Sequence, residues 1–403
     1  MSCSGPAAQP PGPSLAEVLR LGLGVAPARL PPPHWKILRA LLACRTPALG
    51  GHRYWCQDCE QTHFVPHSCR NRHCPVCQGQ AARAWLEQQE AALLPVPYFH
   101  LVFTLPHALN PLIRQNQRAL YRLLFDAASQ TLLEFGQNRF GAQVGITAVL
   151  HTWSQTLLDH YHLHCIATGG GLTPEGSRWV PAPPHYLFPV TALSVVFRGK
   201  FSAGLQQLYA EGGLEFHGQL APLAGRRAFQ GLMREATRRA WVVYAKRPFA
   251  GPRQVLAYLS RYTHRVAISP SRLRHLNVQD QTVTFGWKDY ADGARRKLMT
   301  LGAGEFVRRF CLHLLPARFV KIRHYGLLGN HQRQNKLAQV RALIAPSAQA
   351  PEPAPALVEL QATATPPLPP PGPVCPFCGS QRLWLVEIVP PRYAAVAPRM
   401  DSS

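Results

Sequence analysis

The sequence predicts an α+β protein, with a small zinc-ribbon-like unit ahead of a larger domain built from antiparallel strands and helices. Three observations predict it. Two CxxC pairs, Cys56-x2-Cys59 and Cys74-x2-Cys77, lie close together in the first quarter of the chain. Short β-branched and aromatic runs joined by tight turns read as hairpins. Longer segments between them carry apolar residues at helical spacing.

Composition narrows what such a fold does. The 403 residues suffice for two or three domains and a large core. Lys and Arg number 43 against 20 Asp and Glu, a formal charge of +23 distributed along the whole chain. That excess suits a polyanion, nucleic acid ahead of an anionic membrane. No apolar run reaches the roughly 18 residues of a spanning helix. MSCSGPAAQPPGPS has neither the charged start nor the apolar core of a signal peptide. A cytoplasmic setting is therefore expected, in which the 11 cysteines stay reduced and serve as metal ligands.

Residues 1–33 are rich in Pro, Ala and Gly and read as a loose arm, within which LAEVLRLGL can form a short helix. From His34 the character changes. HWKILRALLACRT is helical, with Ile37, Leu38, Leu41 and Leu42 on one side. The two CxxC pairs follow, and four thiolates at Cys56, Cys59, Cys74 and Cys77 can close a zinc tetrahedron. Cys44, Cys69 and His73 are surplus candidates for the same or a second zinc, as are His52, His63 and His67. GQAARAWLEQQEAALL leaves this unit as a helix and is stopped by Pro95 and Pro97. The zinc unit is thus bounded at about 34–95.

YFHLVFTLP alternates as a strand, with His100, Val102 and Thr104 on one face. Asn110-Pro111 opens a long helix expected to end at Gly136, with Ile113, Leu120, Leu124 and Ala127 buried. ITAVLHTWSQTLL reads as a strand, DHY as a turn, and HLHCIATGGG as the returning strand. Residues two apart on a strand share a face, so His162 and His164 project together as two ligands of an open metal site. Gln155 or His151 would come within reach as the third, with Asp159 and His160 weaker candidates.

PVTALSVVFRGKFSAGLQQLY is helical, with Arg198 and Lys200 on its flank, and WVVYAKRPF reads as a strand. PRQVLAYLSRYTHR reads as a helix on which Tyr258 and Tyr262 share a face, either as an apolar stripe or as functional phenols. VTFGWKDYADGARRKLMTL forms a hairpin about Asp292-Gly293. KIRHYGLLGN is a basic-aromatic run suited to stacking on bases and pairing with phosphate. Arg70, Arg72, Arg261, Arg265, Lys321 and Arg323 are the candidate DNA contacts. The large domain is bounded at 96–343, an Ala/Pro-rich linker at 344–373, and a tail with a lone Cys375-x2-Cys378 knuckle at 374–403. With no second pair after it, zinc at that knuckle would need ligands from elsewhere, and a complete independent site is not expected.

Two strand histidines, helical tyrosines and a basic chain suggest phosphoryl transfer on nucleic acid, with a divalent ion at His162 and His164 and a tyrosine nucleophile. HLH at 162–164, FTLP at 103–106 and YLSRYTHRVAIS at 258–269 together resemble HUH endonucleases. With CRTPALGGH, SCRNRHCPVCQ, HTWSQTLL and KIRHYGLLGN, residues of about 34–335 resemble the rolling-circle transposases of the insertion sequence 91 family. The resemblance implies a zinc-binding N-terminal domain and a catalytic domain with a central antiparallel sheet flanked by helices. It implies Mg2+ or Mn2+ on His162, His164 and Gln155, and Tyr258 and Tyr262 as the two-tyrosine motif, although some relatives keep only one. DHYHLH departs from the pattern, since relatives tend to have proline before the first histidine.

The activity so implied is single-strand nicking of DNA ends and strand transfer through a 5′-phosphotyrosine, by a chain that associates with the nucleoid and can self-assemble. A plasmid relaxase or replication initiator of the same chemistry, or an inactive zinc-dependent DNA-binding protein, are the alternatives.

Overall fold

The computed structural model describes residues 12–25, 30–90, 93–183, 185, 187–246, 255, 263–345 and 374–392. Of the three sheets among the described residues, the largest is antiparallel, with strands in the order β11-β4-β5-β3-β7. These are β3 (Tyr98–Thr104), β4 (Gln143–Trp153), β5 (Asp159–Leu172), β7 (Val243–Lys246) and β11 (Ile322–Gly326), with β6 (Trp179–Pro181) paired to the end of β5. Strand alternation sorts their side chains. Phe99, Leu101, Phe103, Ile146, Ala148, Leu150, Leu163, Cys165 and Ala167 face one way into the main core.

Helices cover that face. Asn110–Gln115 (α4) leads into Gln117–Phe140 (α5), which packs on Val190–Ala210 (α6), and Arg226–Thr237 (α7) adds Phe229 and Met233. The expected stripe Ile113, Leu120, Leu124 and Ala127 is buried in it. The helix runs past Gly136, which lies where a Cβ would stand 3.0 Å from Val144; it ends instead at Gly141, whose φ of +59° forms a left-handed cap. Arg198 and Lys200 on α6 are engaged within the fold. Arg198 donates to the Thr237 carbonyl at 3.3 Å and Lys200 pairs with Glu134 at 2.7 Å.

The opposite face of the sheet is divided. Tyr98, Ile166 and Leu172 pack beneath helix α9 (Arg333–Ile344) with Leu327 and Leu337. His100, His151, His162 and His164 occupy the remainder.

A second core forms from both ends of the chain. Helices α1 (Leu15–Val25) and α2 (Pro32–Leu42) meet α8 (Ala303–Cys311) and the meander β8 (Leu273–Asn277), β9 (Thr282–Asp289) and β10 (Arg295–Gly302). Residues 15–25 are therefore no loose arm: Leu15, Val18 and Leu19 make an apolar stripe that α8 buries. Cys74 and Cys77, at the start of α3 (Pro75–Glu90), lie in the same core, so the segment expected to bind zinc packs together with the 273–302 meander. The third sheet, β12-β1-β2, joins β1 (Gly51–Cys56) and β2 (Thr62–Pro66) to a tail strand β12 (Leu383–Val389). None of the described helices is long and apolar enough to cross a membrane.

Candidate metal centre and nucleic-acid interface

The hairpin β4–β5 builds the site. Its register puts His151 opposite His162 and Val149 opposite His164, while on the other side Thr104 faces His162 and Val102 faces His164. His162 and His164 share a face by strand alternation, and His151 joins them from across the ladder. One ligand nitrogen from each of the three lies within 4.8 Å of the other two.

The second ring nitrogens of His162 and His164 are committed. His162 Nδ1 is 2.9 Å from the His160 carbonyl, and His164 Nδ1 is 2.9 Å from His100 Nε2, with the His100 and His164 rings stacked. Nδ1 of His162 must donate to that carbonyl, which leaves Nε2 as its metal-facing nitrogen; a ligand at His164 Nε2 likewise requires His164 to donate to His100. Burial lowers the histidines: His162 to about 3, His164 well below its usual value, His100 to about 4. All three are therefore neutral at neutral pH, the state a ligand needs.

Sequence placed the turn at DHY and Gln155 on the strand. The structure corrects both. Residues 154–158 form the turn, and Asp159 begins β5, paired with Trp153. Asp159 is held there by an ion pair with Arg114 and by the Tyr161 hydroxyl, which donates to it at 3.0 Å. The turn is pinned by three donors: Arg272 to the Gln155 carbonyl, Arg309 to Thr156 at 3.1 Å, and His313 to Leu157 at 3.0 Å. Leu157 takes a φ of +61° and plugs the second core. Gln155 lines the cavity from this turn, while His151 gathers with the other two imidazoles.

The histidines floor an open cavity of about 780 Å³. Arg114, Arg265 and Lys288 put positive charge around it, and Trp153, Trp287 and Tyr290 supply flat aromatic faces. Trp153 stacks on His151 at 4.7 Å. Cations with aromatic platforms form the lining that takes a phosphodiester strand and its bases. The residues sequence reading missed here lie on β9 and its end; TFGWKDY carries their aromatic-basic signature, but only the tertiary fold brings it to the histidines.

The other predicted contacts divide. Arg265 lines the cavity. Arg70 lines a second groove of about 910 Å³ with Arg45, His52 and His67 beside Cys77. Arg72, Lys321 and Arg323 are instead engaged internally. Arg72 donates to the Pro316 carbonyl at 2.6 Å and to that of Phe319. Lys321 is half-buried, desolvation lowers it to about 8, and it donates to the Arg265 carbonyl at 3.4 Å. The Arg323 guanidinium lies over Phe125 at 4.3 Å and Phe319 at 5.2 Å. In each case a neighbouring carbonyl or ring outcompetes solvent for the cation. Tyr258, Tyr262 and Arg261 lie outside the described residues.

The cysteines also regroup. The expected set Cys56, Cys59, Cys74 and Cys77 is not one site. Cys74 and Cys77 gather with Cys44 and Cys69, while Cys56 and Cys59 gather with Cys375 and Cys378. The cause is chain direction. Helix α2 delivers Cys44 to the start of α3, with Sγ–Sγ distances to Cys74 and Cys77 of 3.6 Å, whereas β1 carries Cys56 away. Such thiols cannot all ionise without a cation. The hydrogen bond from Cys69 lowers Cys74 to about 5 and thereby pushes Cys69 far up, and burial raises Cys44 to about 11. His73 is not a ligand of this set; its Nε2 accepts from the Leu315 amide at 3.3 Å.

Comparisons with known proteins agree with this layout. A family described as "Transposase zinc-binding domain", of insertion sequence 91 type, matches residues 22–105, and one described as "Putative transposase" matches residues 145–336. The chain is 47% identical over 318 residues to a "Putative transposase y4qJ" of Sinorhizobium fredii, covering 78% of this chain and 79% of that protein. It is 29% identical over 307 residues to the "Transposase for insertion sequence element IS801" of Pseudomonas savastanoi pv. phaseolicola, covering 72% and 69%. No solved structure matches.

Proposed function

The chain belongs to the insertion sequence 91 family of transposases, and from that premise we propose that it nicks and rejoins single-stranded DNA by a metal-dependent, HUH-type tyrosine mechanism. The observation that carries this reading is the cluster of three imidazoles on one sheet face, His151 and His162 buried and His164 half-buried, at the floor of a basic and aromatic cavity.

His151, His162 and His164 are the metal ligands of this reading, with His151 in the place expected for Gln155. A divalent cation held there would polarise the scissile phosphate and offset charge in the transition state. An all-imidazole set is softer than one with an amide oxygen, which favours Mn2+ over Mg2+. His100 and the His160 carbonyl fix the orientation of two ligands. Arg265, Lys288 and Arg114 bind phosphates of the strand, and Trp153, Trp287 and Tyr290 stack its bases.

Tyr258 and Tyr262 are the nucleophile candidates, and Tyr262 precedes the cavity residue Arg265 by three positions in sequence. A tyrosine oxygen forms a bond to phosphorus while the P–O3′ bond breaks. The phenol gives up a proton and the departing 3′ oxygen gains one. The 5′-phosphotyrosine so formed stores the bond energy for rejoining, so no external energy source is needed. Extension from the free 3′-OH displaces one strand, the rolling-circle route to transfer of an element.

The test is a denaturing gel of the protein with a labelled single-stranded element end. The wild type forms a covalent adduct, and Tyr258→Phe with Tyr262→Phe abolishes it. An adduct that persists in the double variant removes these tyrosines from the mechanism.

A further inference from the structure

The zinc-binding domain match ends at residue 105, so it contains Cys56 and Cys59 but only half of the ligand set the structure gathers around them. We propose that Cys56, Cys59, Cys375 and Cys378 form a second, closed zinc site, and that this site fastens the tail strand β12 to the zinc-binding domain.

The two halves are built alike. In the first knuckle the Cys56 amide donates to the Gln61 carbonyl at 3.0 Å, the Glu60 amide to Cys56 at 2.9 Å, and Glu60 takes a φ of +55°. In the second the Cys375 amide donates to Ser380 at 2.8 Å, the Gly379 amide to Cys375 at 2.9 Å, and Gly379 takes a φ of +76°. The same turn is thus made twice, each aiming two thiols inward. The knuckles face each other with approximate twofold symmetry: Cys56 meets Cys378 at 3.6 Å and Cys59 meets Cys375 at 3.5 Å. Those distances are far too long for a disulfide. They are near the roughly 3.8 Å edge of a tetrahedron with Zn–S bonds of about 2.3 Å. The Gln57 amide bridges to the Arg382 carbonyl at 3.0 Å, locking the two together.

Among the described residues, strand β12 has little else to hold it. Its register on β1 runs from Gly51 opposite Val389 to Cys56 opposite Leu383, but Trp384, Leu385, Val386 and Ile388 are 50–64% exposed. Its ion pairs, Arg53 with Glu387 and Arg382 with Asp58, are largely exposed and screened. A three-stranded sheet that buries so little needs a staple, and a structural metal is the usual one. The tail's course is nevertheless specific. Gly50, at φ +69°, leaves room for it, since a Cβ there would stand 2.3 Å from the Val389 carbonyl. The ribbon expected within residues 56–77 is therefore real in kind but made from sequence-distant halves, and it is complete only when the tail is present.

The test counts thiolate-bound metal in the full chain, using cobalt(II) and its sulfur-to-cobalt absorption so that imidazole-bound metal is not counted. The wild type should take two equivalents. Cys375→Ser with Cys378→Ser should take one, and so should Cys56→Ser with Cys59→Ser. Both should lose hydrogen-exchange protection of the 383–389 amides. Two equivalents in either pair variant, or one in the wild type, overturn the proposal. A measurement without mutation guards against misfolded variants. On chelation of the zinc-loaded wild type, Cys56, Cys59, Cys375 and Cys378 should become open to alkylation together. Labelling of Cys375 and Cys378 while Cys56 and Cys59 stay protected contradicts a shared site.

Discussion

The imidazole floor and the cysteine clusters both gather metal-binding side chains, but the chain assembles them in opposite ways. The floor is local: His151, His162 and His164 come from one hairpin, and the period of a strand fixes their geometry as soon as the two strands pair. The clusters are remote: Cys44 comes from the end of a helix, and Cys56 meets a cysteine more than 300 positions away. The difference follows use. An open site on a rigid sheet keeps coordination positions for substrate, whereas a closed four-thiolate site exists to tie separate pieces of chain together. On the proposed reading, binding metal would serve chemistry in the first case and folding in the second.

The largest effect expected from this contrast is in the closed site of Cys44, Cys69, Cys74 and Cys77. It sits inside the second core, and structural zinc contributes roughly 10–16 kcal/mol in small zinc domains, as much as a whole domain's stability. Cys74→Ser should unfold the module of α1, α2, α8 and the meander, seen as loss of a cooperative thermal transition. Loss of the Cys375 knuckle should leave that transition in place.

Next comes the division between His151 and Gln155. His151→Ala should cost two or more decades of Mn2+ affinity, while Gln155→Ala should leave it within about twofold. Isothermal titration on zinc-loaded protein decides, and the reverse result restores the amide as third ligand. His100→Ala acts one step out, through the His164 ring, and should weaken Mn2+ by about 10–100-fold.

Acid should act on the floor before it acts on carboxylates. His162, lowered to about 3, and His100, lowered to about 4, bind no proton in the folded state where the unfolded chain does. The stability this contributes is fully present above about pH 6.5 and declines as pH falls from there toward 3–4, by up to about 1.4 kcal/mol per pH unit per histidine. Denaturant midpoints of metal-free protein at pH 7.5, 6.5 and 5.5 should fall over the last interval. A flat profile contradicts neutral buried histidines.

The smallest effect separates true contacts from internal cations. Lys288→Ala should weaken single-stranded DNA and reduce the salt slope by about one. Arg323→Ala should leave both unchanged and cost about 1 kcal/mol of stability, through its stacking on Phe125 and Phe319.

What was legible in the sequence follows the same contrast. The helix stripe from Ile113 to Ala127, the HLH strand and the hairpin about Asp292-Gly293 are encoded in periods and turn residues a few positions apart. The β4–β5 turn was misplaced because Leu157, with a positive φ, carries no turn signal, whereas Asp159, which resembles a turn residue, is recruited into the strand by Arg114 and Tyr161. CxxC spacing announces half a zinc site and says nothing of which other half it meets. Basic residues next to aromatics looked like DNA contacts at Arg323 and Lys321, since sequence cannot show whether the aromatic partner is a base or Phe125. Trp287, Lys288 and Tyr290 reach the histidines only through the packing of the meander.

The measurement that bears most directly on the open site is cleavage of a labelled single-stranded element end, with and without Mn2+, by the wild type and by His162→Ala. The account predicts cleavage by the wild type only when Mn2+ is present, and none by the variant. Cleavage by His162→Ala at the wild-type rate, or by the wild type in a chelator, would contradict a metal seat on the histidine hairpin.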